Sequence, residues 1–461
     1  MRFMIGKDKR TNIAYIGGGS FNFGWKLFSE LAAEEIYATV QLYDSDKQLS
    51  LSNEVIGNKL RENPDCKSDI IYLAVDTPEE ALKNADIVIM AFTQGTIDEM
   101  VTEMHLPETY GIYQASGEHT GPSGVMRALK TLPVYIKYTE MIKKICPEAW
   151  VINVSNPMAE CMSMMYEVFP DIKLFGSTNE LYPALDLLVN ICEKEFGVQN
   201  IRRRDIKYNL LGISGFCWFD EVMYCGNDVI PVFRDFAEKY YETGYENRPN
   251  EFKLNPFASA NKIKFDLFLR YGCIPAVSDG IAADFCPQWY LKSPKTMQSW
   301  KFSQITVNYL KKLKLDKLSR VKPLMNGDEL LRVGGGTTDC ALQIRALMGL
   351  GNLITNVCMR NKGQVENLPE GAIVHTNALI SKNSVRPVAA GSLNDELYAL
   401  TIRHIMNQKT IVKAVKERDL DIAFNAFLND PLMCADLSDA AELYKEMLST
   451  VRTHLLYYMS M

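Results

Sequence analysis

The chain has 461 residues, 47% hydrophobic and 23% charged, with a formal net charge of -6, the profile of a globular protein of about two domains with a large core. The acidic balance and the lack of basic blocks exclude nucleic acid and anionic membrane as partners, and no run reaches the roughly 20 apolar residues of a membrane span. Lys7, Asp8, Lys9 and Arg10 interrupt any signal-peptide core, and eleven cysteines without a Cys-x-x-Cys pair read as reduced, buried thiols, so a cytoplasmic protein with a small-molecule ligand is expected.

Asn12 to Ile16 is a short apolar run of strand character that ends in Gly17-Gly18-Gly19-Ser20, and a helical pattern follows from about Phe23 to Ala33. A second strand, Val40 to Tyr43, ends in Asp44. Strand, glycine turn, helix, strand and acid make a dinucleotide site: the glycines let the backbone approach a pyrophosphate that rests on the helix N-terminus, and the acid accepts hydrogen bonds from ribose hydroxyls, which favours NAD. Gly17, Gly19, Ser20, Phe21, Asn22 and Asp44 are the cofactor candidates; the competing reading is a plain structural turn. Asn22 stands where the motif has its third glycine, so it either loosens helix–strand packing or touches the ligand itself.

Further apolar runs follow at 70–73, 87–92, 150–154 and 172–175, with helical patterns at 78–83 and 133–145 between them. That alternation predicts an α/β, Rossmann-type doubly wound parallel sheet with ligands beyond the carboxyl ends of its strands. From about residue 200 the pattern changes. Residues 206–213, 221–225 and 229–232 read as strands of a mixed sheet, 258–271 and 301–313 as helices, and the last hundred residues as loops and amphipathic helices ending in 437–458. This divides the chain into 1–200, the cofactor domain, and 201–461, a substrate and oligomerisation domain, with the cleft between them as the substrate site.

Three motifs then carry a resemblance: Gly117-Glu118-His119-Thr120-Gly121-Pro122-Ser123-Gly124, Arg127-Ala128-Leu129-Lys130-Thr131-Leu132-Pro133, and Asn153-Val154-Ser155-Asn156-Pro157. They resemble the NAD-dependent glycosidases of glycoside hydrolase family 4, and the similarity continues through Asn361-Lys362-Gly363-Gln364 and Asp430-Pro431-Leu432. Phe23-Gly24-Trp25, Asp98-Glu99-Met100 and His105-Leu106-Pro107-Glu108 are most similar to the alpha-galacturonidase branch. The resemblance implies a C-terminal α+β domain of the lactate/malate dehydrogenase-like type and a homodimer or homotetramer. It also implies hydrolysis by oxidation of the sugar at C3, elimination of the C1 substituent, addition of water and re-reduction.

The family's reaction implies a divalent metal, manganese, as Lewis acid. Its cysteine and histidine ligand positions hold Thr178 and Gly215 here, and a third family histidine corresponds to Ile281; no residue is therefore assigned to a metal. Cys217, Cys225 and Cys286 flank these positions and read equally as core thiols. By the same resemblance Asn156 binds substrate and cofactor, Glu118 supports the catalytic base, and Asn179 holds the general-acid position, which asparagine fills as a positioning group or a helix cap. Tyr271 and Asp279 are alternative bases. Met100 replaces the arginine of the 6-phosphoglycosidase branches, which disfavours a phosphorylated sugar, whereas Arg127, with Arg332 as a second candidate, suits a uronate carboxylate. The expected activity is that of a family 4 glycosidase acting on a non-phosphorylated glycoside such as a galacturonide. The alternatives are a sugar oxidoreductase or epimerase without bond cleavage, and a non-catalytic NAD- and sugar-binding relative.

Overall fold

The computed structural model describes residues 10–336 and 338–459, so Lys7, Asp8, Lys9 and Thr337 lie outside the described residues. Six strands, β1 (Thr11–Ile16), β2 (Tyr37–Tyr43), β3 (Asp69–Ala74), β4 (Ile87–Met90), β5 (Trp150–Asn153) and β6 (Lys173–Gly176), pair in parallel in the order 3-2-1-4-5-6. The helices that connect and cover them are α1 (Phe21–Ala33), α2 (Lys47–Lys59), α3 (Pro78–Leu82), α4 (Ile97–His105), α5 (Gly121–Ile145) and α6 (Met158–Val168), with α7 (Tyr182–Phe196) following β6. Alternate residues of β1 serve opposite cores, Ala14 and Ile16 on one face and Ile13 and Tyr15 on the other, as the period of two requires in a sheet covered on both sides. The strand order reverses direction between β1 and β4, the crevice where such sheets bind ligands.

The second half starts with the antiparallel strands β7 (Ile206–Ile213), β8 (Phe216–Tyr224), β9 (Asn227–Asp228) and later β10 (Ile274–Pro275). The apolar residues 229–232, expected as a strand, instead open α8 (Ile230–Tyr240). Pro231 sits in its first turn and Phe233, Phe236 and Ala237 continue the buried face at helical spacing; a four-residue run cannot distinguish the two periods by itself. Helices α9 (Lys262–Tyr271), α10 (Asp279–Phe285), α11 (Pro294–Ser299), α12 (Val307–Asn326) and α13 (Cys340–Leu347) follow. The 301–313 expectation is thus displaced to Val307, where Thr306 caps the helix by accepting from Tyr309 N.

The chain then returns to the first sheet. Strands β11 (Leu353–Arg360), β12 (Ile373–Ser381) and β13 (Ser384–Pro387) add antiparallel to the β6 edge and extend it to nine strands, where loops and helices alone had been expected after residue 361. Helices α14 (Asp395–Glu417), α15 (Leu420–Leu428), α16 (Leu437–Thr450) and α17 (Leu456–Met459) complete the fold, the expected helix 437–458 being broken after Thr450. The architecture is a Rossmann-type doubly wound sheet followed by an α+β unit whose last strands rejoin the first sheet. Among the described residues no helix is long and apolar enough to cross a membrane.

Candidate active site

The glycine turn is packed to the point where only glycine fits. Gly17 takes φ +92° and a Cβ there would collide with the Ala91 carbonyl oxygen; a Cβ on Gly19 would lie 2.8 Å from the Asp44 carboxylate. Ser20 caps α1, its Oγ accepting from Phe23 N at 3.4 Å. Asp44 turns back onto the turn it faces, Oδ2 accepting from Gly19 N at 2.9 Å and Oδ1 from Asp46 N at 3.0 Å. Gly17, Gly19, Ser20, Asn22 and Asp44 line a cleft of about 490 Å³. Phe21 does not; its ring stacks on Trp25 at 5.1 Å between centroids.

The cleft crosses the carboxyl ends of four neighbouring strands, from Asp44 after β2, through Gly17 after β1 and Phe92 to Gln94 after β4, to Asn156 after β5. Three strand spacings make this roughly 14 Å, the span of a two-nucleotide ligand laid across the sheet. A glycine turn without room for Cβ atoms, an α1 N-terminus and an acid at the second strand tip fit NAD at this position.

At the β5 end the cleft meets Glu118, Arg127 and Asn156. Asn156 Nδ2 donates to Glu118 Oε2 at 3.0 Å, and Arg127 Nη1 lies 3.5 Å from Glu118 Oε1. Desolvation opposes ionisation of Glu118, but the Arg127 guanidinium, His119 and the Asn156 amide outweigh it and hold the carboxyl below its ordinary range. Arg127 is 4% exposed, and its Nε has no hydrogen-bond partner among the described residues. A buried guanidinium that lines the cleft beside Glu118 suits an anion there.

The loop carrying Glu118 is held by two buried aspartates of the second half. Asp284 accepts from Ala115 N, Ser116 N and Gly117 N at 2.6, 2.9 and 3.1 Å and from Ser116 Oγ at 2.8 Å. Asp430 Oδ2 accepts from Thr120 Oγ1 and Gly121 N, each at 2.9 Å. Neither contact had been read from the sequence, because the partners are more than 160 residues apart. His119 is buried with its ring centroid 6.2 Å from that of Phe285.

The other candidates lie elsewhere. Asn179 is exposed after β6, its carbonyl accepting from Tyr182 N at 3.1 Å as α7 begins. Tyr271 ends α9, half-buried with its ring edge on Trp218 at 6.4 Å. Asp279 is fully buried and accepts from Ile263 N at 3.2 Å and Lys264 N at 3.3 Å, capping the start of α9; burial pushes its carboxyl up. Arg332 is exposed. Among the described residues, none of these four lines the cleft.

The residues at the family's metal positions do not fit manganese. Thr178 Oγ1 is engaged in a local turn, accepting from Glu180 N at 3.1 Å, and Gly215 has φ +80°, with its missing Cβ replaced by the Phe285 ring. No step is assigned to a metal there. Sequence spacing did not reveal that Glu180, Cys217 and His375 converge: all three are buried, and one ligand atom from each lies within 4.8 Å of the others. His375 comes from β12 and Cys217 from β8, so only the meeting of the two sheets brings them together.

A model described as family 4 glycosyl hydrolase matches residues 12–205, and one for the C-terminal domain of that family matches 210–433. Alpha-galacturonidase of Thermoanaerobacterium saccharolyticum is 45% identical over 458 residues, covering 99% of this chain and 98% of that protein. The crystal structure of lplD from Bacillus subtilis superposes with a TM-score of 0.91 at 40% identity, covering 95% of this chain and 100% of its own. The same fold recurs at 22% identity, with a TM-score of 0.74 and 96% and 98% coverage, in a Thermotoga maritima 6-phospho-beta glucosidase crystallised with manganese, NAD+ and glucose-6-phosphate.

Proposed function

Since the chain belongs to family 4 of the glycosyl hydrolases, we propose that it is an NAD-dependent glycosidase that cleaves a non-phosphorylated galacturonide by oxidation at C3, elimination, addition of water and re-reduction. The observation that carries the substrate class is Arg127, a buried guanidinium that lines the β5 end of the cleft beside Glu118 and Asn156. It offers a uronate carboxylate a charge-assisted contact, whereas Met100 on α4 offers no cation to a phosphate. The near-complete match to an alpha-galacturonidase supports the same choice.

The chain's residues divide the work along the cleft. Asp44 receives ribose hydroxyls, and Gly17 and Gly19 leave room for the pyrophosphate against the α1 N-terminus. NAD supplies the hydride acceptor, and afterwards the hydride donor, for the C3 position. Asn156, with Nδ2 donated to Glu118, has its Oδ1 to accept from a sugar hydroxyl. Glu118, held ionised, is the carboxylate at the reacting end, and we assign it the support of proton removal at C2. Asn179 holds the family's general-acid position but is exposed and off the cleft wall; it is assigned the positioning of the leaving group, not proton donation. Tyr271 and Asp279 are the alternative bases, on α9 and α10 outside the cleft lining. A homodimer or homotetramer working in the cytoplasm belongs to the same proposal.

The test is incubation with NAD+ and an alkyl galacturonide in deuterated water. Cleavage with deuterium at C2 of the released sugar is expected; cleavage without it rules out the elimination route. The replacement of metal ligands by Thr178 and Gly215 favours the sugar oxidoreductase or epimerase as a second reading; accumulation of NADH without cleavage identifies the oxidoreductase, and an isomerised sugar without cleavage or net NADH identifies the epimerase.

A further inference from the structure

Where the two sheets meet, three segments place an oxygen, a sulfur and a nitrogen donor together. Glu180 follows β6, Cys217 is the second residue of β8 and His375 the third of β12. Their side chains are almost wholly shielded from solvent, His375 at 0%, Cys217 at 1% and Glu180 at 8% exposure. Glu180 accepts from Gly215 N at 3.1 Å, which places the trio directly behind the position where the family's histidine would stand.

The hydrogen bonding around His375 fixes its tautomer. Asn356 Nδ2 faces Asp339 Oδ2 at 3.5 Å, which turns Asn356 Oδ1 toward His375 Nε2 at 2.9 Å. Nε2 therefore carries a proton and donates it, and in the neutral ring Nδ1 keeps a lone pair. That lone pair lies 2.8 Å from Glu180 Oε1, yet Nδ1 makes no aligned hydrogen bond among the described residues. Two electron-rich atoms at this distance repel in a buried site unless something positive lies between or beside them. A ring nitrogen oriented by a hydrogen bond through its other nitrogen is also the usual arrangement of a metal-bound imidazole.

We propose that Glu180, Cys217 and His375 form a binding site for a divalent transition-metal ion of zinc type, distinct from the family's ligand positions. The donor set decides the class: nitrogen and sulfur ligands select zinc or cobalt over magnesium, calcium and manganese. Charge balances, because a carboxylate and a thiolate neutralise a divalent cation, and binding releases one proton, from the Cys217 thiol. Without the ion, burial and the Glu180 charge hold that thiol up in its neutral form. Three protein ligands leave one tetrahedral position for water. The competing arrangement is an imidazolium–carboxylate pair with a bystander thiol, which binds no metal.

The test uses the full-length protein stripped of metal and titrated with cobalt(II) alone. A thiolate-to-cobalt charge-transfer band saturating at one equivalent is expected. Cys217→Ser should remove the band and His375→Gln should weaken binding at least tenfold, while Cys286→Ser, at a buried thiol outside the trio, should leave both intact. Absence of the band in the unmodified protein, or its survival in Cys217→Ser, overturns the proposal. Should the variants fail to fold, X-ray absorption of the zinc-loaded unmodified protein decides: one sulfur at about 2.3 Å with nitrogen or oxygen at about 2.0 Å supports the site, and a shell of oxygen alone refutes it. None of these readouts is catalytic, so the outcome is separate from that of the proposed glycosidase activity.

Discussion

Arg127→Met tests the substrate assignment most directly. The substitution keeps an unbranched side chain of similar reach in a position that is 4% exposed, but removes the charge and the unpartnered Nε. A charge-assisted contact of this kind contributes about 1.5–3 kcal/mol, so kcat/KM for a galacturonide should fall about 10- to 150-fold. The matched neutral galactoside, lacking the carboxylate, should lose much less. A second effect runs through Glu118, which Arg127 helps to hold below its ordinary range. A carboxyl whose folded pKa is depressed contributes stability above its unfolded pKa and loses it as pH falls through the folded value. Without Arg127 the desolvation of Glu118 is less opposed, its pKa rises, and the acid limb of the kcat/KM profile moves to higher pH. Arg127→Lys keeps the charge near Glu118 but not the fork, so it should retain most of the acid limb while losing uronide selectivity. Equal losses on galacturonide and galactoside in Arg127→Met would refute the reasoning.

Asp44→Asn should weaken NAD binding by about 1.5–3 kcal/mol, the worth of hydrogen bonds to a charged acceptor, read by calorimetry; unchanged affinity would show that Asp44 serves only Gly19 N and Asp46 N. Gly215→His, which reinstates the family's ligand type, should lower the melting temperature without gaining a manganese-dependent rise, because its Cβ meets the Phe285 ring; stabilisation by manganese in this variant alone would contradict the geometry. Asp284→Asn should lower kcat while leaving NAD affinity intact, since it loosens residues 115–117 and not the glycine turn; a parallel loss of NAD affinity would mean a general defect. Asp279→Asn should cost about 1–3 kcal/mol, because the amide nitrogen cannot accept from one of Ile263 N and Lys264 N, and leave C2 deuterium exchange in place, whereas loss of exchange at unchanged melting temperature would restore Asp279 as the base.

The cofactor half was legible because its signals are local. Gly17, Gly19 and Asp44 sit within one strand–turn–helix–strand unit, and parallel strands buried on both faces show as continuous apolar runs. The misread segments are those where tertiary context decided. Val229 to Val232 is too short to reveal its period, and β11 to β13 return to a sheet whose other strands ended with β6, at residue 176. The site followed the same rule. Glu118 and Asn156, both in motifs, meet at the cleft, but the Asp284 and Asp430 contacts and the Glu180, Cys217 and His375 cluster join residues with no shared spacing. His375 on β12 meets Glu180, after β6, and Cys217 on β8 only in the folded chain.

The glycine at 215 is tied to the packing around it. Phe285 stacks on Phe216 at 5.4 Å with an interplanar angle of 6° and fills the space that a side chain at 215 would require. His404 lies against the same ring, 4.7 Å between centroids, and its Nε2 is 2.8 Å from the Phe285 carbonyl. Asp284, one residue earlier, holds the backbone that presents Glu118. Moving Phe285 aside to admit a ligand at 215 would therefore pull on the same turn that fixes the Glu118 carboxylate. The present arrangement trades a donor at 215 for a rigid Glu118 loop, and the cation-binding chemistry retained nearby lies one layer deeper, on Glu180, whose carboxylate takes the Gly215 N–H.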